Sequence, residues 1–427
     1  MVSFKEFTLL ENKVSLLEEG GVAGHMSHIY DNWDLSFSQI KDILTKASQG
    51  QLQGTEKTDG QNLYISYSVK ESRAKAARNK GDIKNGGMTV PELRQKFAGR
   101  GAIEDTFGDA LRIFEKAVRA LSPQQQTKIF GPDTDIWYNA EVMDPRSSNV
   151  INYDKKTLAI HQVGHAMYDK QTGEPTDVNV SKNVAVLDNA LNDMQEAIQD
   201  ENYHIIKNAV RNLEALSNDS ALRVAIQNLD TLLSREGLDE STTIKDYIKK
   251  KIWDYLSKKL PKEVLQLVGN DLVQRMMGEG GSISSIAKVL PPEYKQQVKD
   301  IVKDDKKVIK NAVYPIEDII HDFAVEILKS VQSAYIINNQ KEVKRLKNEV
   351  ARAIKLIQSS NNEIAHEVLK QQLKKLKSVD KINSAIEGFV FDYDGHSYKM
   401  TGNFAPVNQI LGLFRYGRAG VKPEEFK

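Results

Sequence analysis

Residues 55–62 read TEKTDGQN and lead into LYISYSV, a run with strand character. Lysine is a poor residue for a strand edge that only packs. It suits a place where an amine must attack, so Lys57 is read as a nucleophile. Three more charged residues stand beside apolar, strand-like runs: Glu141 in IWYNAEV, Glu387 in EGFVF and Lys399 in YKMTG. Two lysines would neutralise phosphate oxygens. Two carboxylates, Glu141 and Glu387, would hold a hard cation such as Mg²⁺ (or Mn²⁺). The set describes a phosphate and metal site.

The elements that must position these residues change character twice along the chain. Residues 1–181 are mixed, with β-rich runs at 63–69, 136–142 and 158–167. Helical spacing is seen at 37–47 and 107–121. Residues 182–381 read as almost wholly helical, divided by Pro261, Pro291, Pro292 and Pro315. Strand character returns in 382–427, where Asp394-Gly395 separates two β-rich runs as a hairpin turn. The expected class is α+β. A β-rich domain with antiparallel sheets is completed from both ends of the chain, with a large all-α domain inserted between.

The 427 residues exceed one ordinary core. With a net charge of +1, no global field points to a polyanion, so such a partner needs a local patch. The absence of cysteine excludes disulfides, thiolate zinc sites and a cysteine nucleophile. No apolar run approaches the roughly 20 residues of a membrane span. A soluble, cytoplasmic protein is expected.

Other motifs have plainer readings. His161 and His165 would suit a metal on a helix, but TLAIHQVGHAM reads as a strand, so packing is expected. His25 and His28 read as a capped turn. GEGGS at 278–282 lacks the Lys-Ser/Thr of a phosphate loop and reads as a linker. The basic run from Lys341 to Lys377 is interleaved with Glu342, Glu349, Glu363 and Glu367. It is either a solvated face or a clamp for phosphates.

In order and wording, the four charged segments resemble the covalent nucleotidyltransferase superfamily of ATP-dependent polynucleotide ligases and capping enzymes. Its first motif is matched by Lys57-Thr58-Asp59-Gly60 and its third by the strand ending in Glu141. Its fourth is matched by Glu387-Gly388-Phe389-Val390 and its fifth by the strand bearing Lys399. Asn62, two places after Gly60, brings the pattern closest to the phage-type RNA ligases. The resemblance implies ATP as substrate, Mg²⁺ or Mn²⁺, and a lysyl-AMP on Lys57. RNA or DNA with 5′-phosphate and 3′-hydroxyl ends is the implied partner.

By the same resemblance Glu56, Asp59, Gly60, Asn62, Glu141 and Glu387 contact the nucleotide, with Glu56 reading adenine. Arg73 or Arg78 touches the ribose or acceptor phosphate, and Lys399 assists catalysis. Lys399 and a cation on Glu387 are expected to depress the Lys57 pKa. Thr401 replaces the second lysine of the fifth motif. The 28 residues after Lys399 (427 − 399) are too few for an OB-fold. Two readings follow: a working ligase, or a ligase-like fold with weakened or lost turnover and a structural or nucleic-acid-binding role.

Overall fold

The computed structural model describes residues 27–162 and 164–415. It is a mixed α/β structure with two mainly antiparallel sheets. The first contains β1 (Ser27–His28), β2 (Gln53–Lys57), β9 (Arg211–Asn212), β10 (Gly388–Tyr393) and β11 (His396–Thr401), in the order β1-β11-β10-β2-β9. The second contains β3 (Gln61–Ser68), β4 (Arg73–Ala77), β5 (Ile136–Met143), β6 (Thr157–Ile160) and β8 (His204–Lys207), in the order β4-β3-β5-β6-β8. The short β7 (Ala166–Met167) pairs with β5.

Local sequence explains several of these elements. Asp394 and Gly395 both take positive φ, 49° and 77°. That is the backbone a two-residue turn needs to join β10 to β11. Helix Phe37–Ser48 begins with a capping box, the Gln39 amide donating to Ser36 Oγ and the Ser36 amide to Gln39 Oε1. Its buried stripe, Phe37, Ile40, Ile43, Leu44 and Ala47, keeps helical spacing.

Among the described residues, three larger cores hold the layers together and a smaller one gathers Tyr64, Ala77, Ile83, Trp137 and Tyr168. In the first, Phe389, Phe391, Tyr398 and Met400 from β10 and β11 pack against helices Ser220–Glu236, Ile244–Ser257, Lys262–Met276 and Asp305–Ser330. In the second, Leu63, Ile65, Tyr138, Ala140 and Leu158 pack against helices Ala102–Arg119 and Ser181–Glu196. In the third, Met143, Val150, Tyr153 and Ala159 meet helices Asn339–Ser359, Glu363–Leu376 and Phe404–Arg415.

Most of the buried residues of the first core, Leu213 to Leu328, come from the helical middle of the chain. Within the stretch read as all helix, the short apolar run HIIK forms β8, parallel to β6. Pro315 lies inside helix Asp305–Ser330 and does not divide it. Val308, Ala312, Ile316 and Ile320 are buried on both sides of the proline, and tertiary packing overrides its local cost. No described helix is long and apolar enough to cross a membrane.

Candidate active site

Lys57 is the last residue of β2 in the first sheet, and Gln61 is the first residue of β3 in the second. The chain changes sheets within Thr58, Asp59 and Gly60. Asp59 fixes that switch. Its Oδ2 accepts from the amides of Val150 (2.6 Å) and Ile151 (2.7 Å), and its Oδ1 from Asn149 Nδ2 (2.9 Å). Its own amide donates to the Tyr153 hydroxyl at 2.6 Å. The carboxylate expected to meet a nucleotide is thus turned to the 149–153 loop. Gly60 makes room for the second sheet: a Cβ there would stand 2.6 Å from Glu141 Cγ and 2.7 Å from Val142 O.

Strand register brings the charged residues to Lys57. Lys57 opposes Gly388 on β10, which in turn opposes Thr401 on β11. Glu387 is the residue just before β10, and its carboxylate is ion-paired with the Lys57 ammonium. Lys399 opposes Val390 and His28. The two-residue period of a strand puts it on the same face as Lys57. From the second sheet, Asn62 opposes Glu141, so both leave one face of that sheet. Glu141 Oε2 lies 3.2 Å from His161 Nε2, and Asn62 Nδ2 donates to Asn139 Oδ1 at 2.6 Å. His161, Gln162, Gly164 and His165, between β6 and β7, are not strand residues.

The electrostatics differ from expectation in one respect. Burial pulls the Lys57 pKa down, but the carboxylates of Glu387, Glu141 and Asp59 outweigh it. The ammonium is held above its ordinary value. Without ligand, Lys57 is a charged amine and not a poised nucleophile. Glu387 is pushed up by burial first, an effect that Lys57 and Lys399 counter and Glu141 reinforces.

Not every expected residue joins this group. Glu56 opposes Phe389, so its side chain leaves β2 on the face opposite Lys57. Its Oε1 accepts from Ser333 Oγ at 2.7 Å and its Oε2 from the Ala334 amide at 2.8 Å. Arg73 opposes Ser68 at the far end of β3, seven residues and roughly 24 Å from Gln61 at about 3.4 Å per residue. The register places it away from the strand end nearest Lys57. Arg78 is the arginine at hand. It donates to the Asn62 carbonyl and stands 4.9 Å over the Phe107 ring. His25 lies outside the described residues.

The structure adds residues that sequence did not single out. Tyr335 donates its hydroxyl to Asn208 Oδ1, and Asn208 Nδ2 lies 3.3 Å from His161 Nδ1. Tyr153 meets Tyr335 edge to face at 6.3 Å between ring centres. No motif marks these positions; only tertiary contact reveals them. The Thr58 hydroxyl is buried with no partner among the described residues. Also among the described residues, no group of three or more His, Asp or Glu gathers as a metal cage. Glu141 and Glu387 are two carboxylates, which fits a cation that keeps most of its water or phosphate ligands. No protein-family model, curated protein or solved structure matches the chain.

Proposed function

We propose that this chain is an ATP-dependent polynucleotide ligase, of RNA in the first instance, acting through a lysyl-AMP on Lys57. The β-rich part would be a nucleotidyltransferase-like fold completed from both ends of the chain, with the helical region between. One observation carries the reading. Lys57 stands where the chain passes between sheets, ion-paired to Glu387, with Glu141 on the facing sheet and Lys399 on its own face.

The chemistry follows from those positions. Lys57 Nζ attacks the α-phosphorus of ATP. The ammonium gives one proton to water before attack; a P–N bond forms as the P–O bond to pyrophosphate breaks, and the nitrogen then gives a second proton to water. Glu141 and Glu387 would hold a Mg²⁺ or Mn²⁺ ion, which would supply positive charge at the phosphates. Burial favours the neutral Lys57 amine and Glu387, Glu141 and Asp59 oppose it, so positive charge set against these carboxylates would ease loss of the proton. Lys399 stabilises charge on the α-phosphate oxygens and orients that group. A 5′-phosphate oxygen of the polynucleotide then displaces the lysine, and AMP passes to that end. A 3′-hydroxyl finally attacks the activated phosphate, forming the phosphodiester and releasing AMP.

The second reading, a ligase-like protein with lost turnover, draws on two features. Thr401 stands opposite Gly388 where the motif carries a lysine, and the Glu56 carboxylate is committed to Ser333 and Ala334. One experiment separates the readings. Incubation with ATP and Mg²⁺ or Mn²⁺ is expected to add one AMP to the peptide containing Lys57, and none in Lys57→Ala. A wild-type protein that gains no adduct with either metal is not a ligase of this kind.

A further inference from the structure

We infer that the outward face of helix Asn339–Ser359 docks the phosphate backbone of the polynucleotide. The inference rests on the ligase reading for the identity of its ligand, and on the helix itself for the site. Lys341, Lys344, Arg352 and Lys355 fall within an arc of about 80° at about 100° per residue, and all four are exposed. The opposite stripe, Leu346, Val350, Ala353 and Ile357, is buried in the third core.

The acids of this helix are engaged elsewhere. Glu342 and Glu349 both pair with Arg345. Glu342 is buried and also accepts the Asn152 amide at 2.8 Å. The carboxylates that the sequence interleaves with the lysines are therefore turned from the stripe to one inward arginine. Among the described residues, Lys341, Lys344 and Lys355 form no ion pair with any carboxylate. In a chain of net charge +1, that is a local positive field. The helix has no aromatic residue, so it offers phosphate contact and no base stacking.

Position makes the stripe useful. Arg345 Nη2 donates to Val150 O at 2.6 Å. The same loop gives the Val150 and Ile151 amides to Asp59, two residues after Lys57. The helix is thus fastened to the segment that sets Lys57. Glu342 and Arg345, on the flank beside the stripe, meet that loop, so the stripe lies within one helix diameter, about 10 Å, of it. A strand with its end at Lys57 carries its next few phosphates over that distance, at about 3.4 Å of rise each. The open groove of about 570 Å³ between helices Ser220–Glu236 and Asp305–Ser330 is a weaker anion site. Its Lys329, Lys375 and Lys377 pair with Glu326, Glu317 and Asp322.

The test measures binding of a fluorescent nicked RNA duplex bearing a 5′-phosphate, by anisotropy and without ATP. The triple variant Lys341→Glu, Lys344→Glu, Lys355→Glu is expected to bind about tenfold more weakly or worse, with a salt slope reduced by about 3. Lys306→Glu, Lys307→Glu, Lys310→Glu makes the same charge change on exposed lysines of another helix and is expected to keep most of the affinity. Equal losses in the two variants, or no loss in the first, overturn the inference. So does a wild-type affinity that is flat in salt, a measurement that needs no variant to fold. Adenylylation of the same preparations reads the ligase proposal separately. An adduct without a stripe effect sinks only the docking surface. Stripe-dependent binding without an adduct sinks only the ligase.

Discussion

The Lys57 ammonium and the Glu387 carboxylate form an ion pair across 330 positions of sequence, at the edge where β2 meets β10. This pair sets the protonation of the proposed nucleophile. Burial lowers the Lys57 pKa and Glu387 raises it, together with Glu141 and Asp59, so removing Glu387 shifts the balance toward burial. Glu387→Gln is expected to move the Lys57 pKa down. Competitive labelling of lysines with acetic anhydride across pH measures this directly. The Lys57 labelling curve should shift to lower pH in the variant, while lysines remote from Glu387 keep their profiles. An unmoved curve would show that Glu387 does not control the amine.

Asp59 tests a different link, between local structure and stability. Its carboxylate accepts two backbone amides and the Asn149 side chain while only 3% exposed. Asp59→Asn puts an amide where two N–H groups already point, and it removes charge-assisted bonds. A loss of about 2–3 kcal/mol is expected in urea unfolding, with the slope unchanged. A variant with wild-type stability but weakened ATP binding would instead assign Asp59 to the nucleotide, the role its motif implies.

What was legible in the sequence follows a physical line. The Asp394-Gly395 turn could be read because positive φ at two adjacent residues restricts the residue types. Helix Phe37–Ser48 could be read because its apolar stripe repeats over a short local stretch. The candidate site was legible as residue types at strand ends. That Lys57 and Glu387 pair depends on register, which no local pattern specifies. β8 was missed because four residues of HIIK carry no period that separates strand from helix. The opposite directions of Glu56 and Lys57 follow from alternation along β2, but only once β2 is known to run through Lys57.

Glu56 and Ser333 should behave as one unit. The carboxylate takes the Ser333 hydroxyl and the Ala334 amide, and Ser333 Oγ in turn accepts the Tyr335 and Ile336 amides at 3.1 Å. Glu56 thus holds the connection between helices Asp305–Ser330 and Asn339–Ser359. Glu56→Ala and Ser333→Ala are each expected to destabilise, by about 1–3 kcal/mol, and the double variant by less than the sum. Additive losses in a double-mutant cycle would mean that the two side chains do not act together.

His165 provides the pH prediction. Its Nδ1 accepts the Asn139 amide at 3.1 Å, and its Nε2–H donates to the His161 carbonyl at 2.7 Å. Both nitrogens are committed in the neutral ring, and a proton on Nδ1 would break the first bond. Burial, the main cause, lowers its pKa from 6.5 to about 4. His28 is lowered to about 3, by burial and then by Lys399 and Lys57. The sign follows from linkage. Below pH 6.5 the unfolded chain binds protons that these folded rings refuse, so stability falls as the pH drops toward 4. Above pH 6.5 both states carry neutral rings, and the contribution is flat. His165→Gln keeps a donor and an acceptor but does not titrate. Its unfolding free energy, followed from pH 7.5 to 4.5, should decline less steeply than that of the wild type, by up to one proton's worth of slope. Parallel pH curves for the two proteins would show that His165 is protonated as readily when folded as when unfolded.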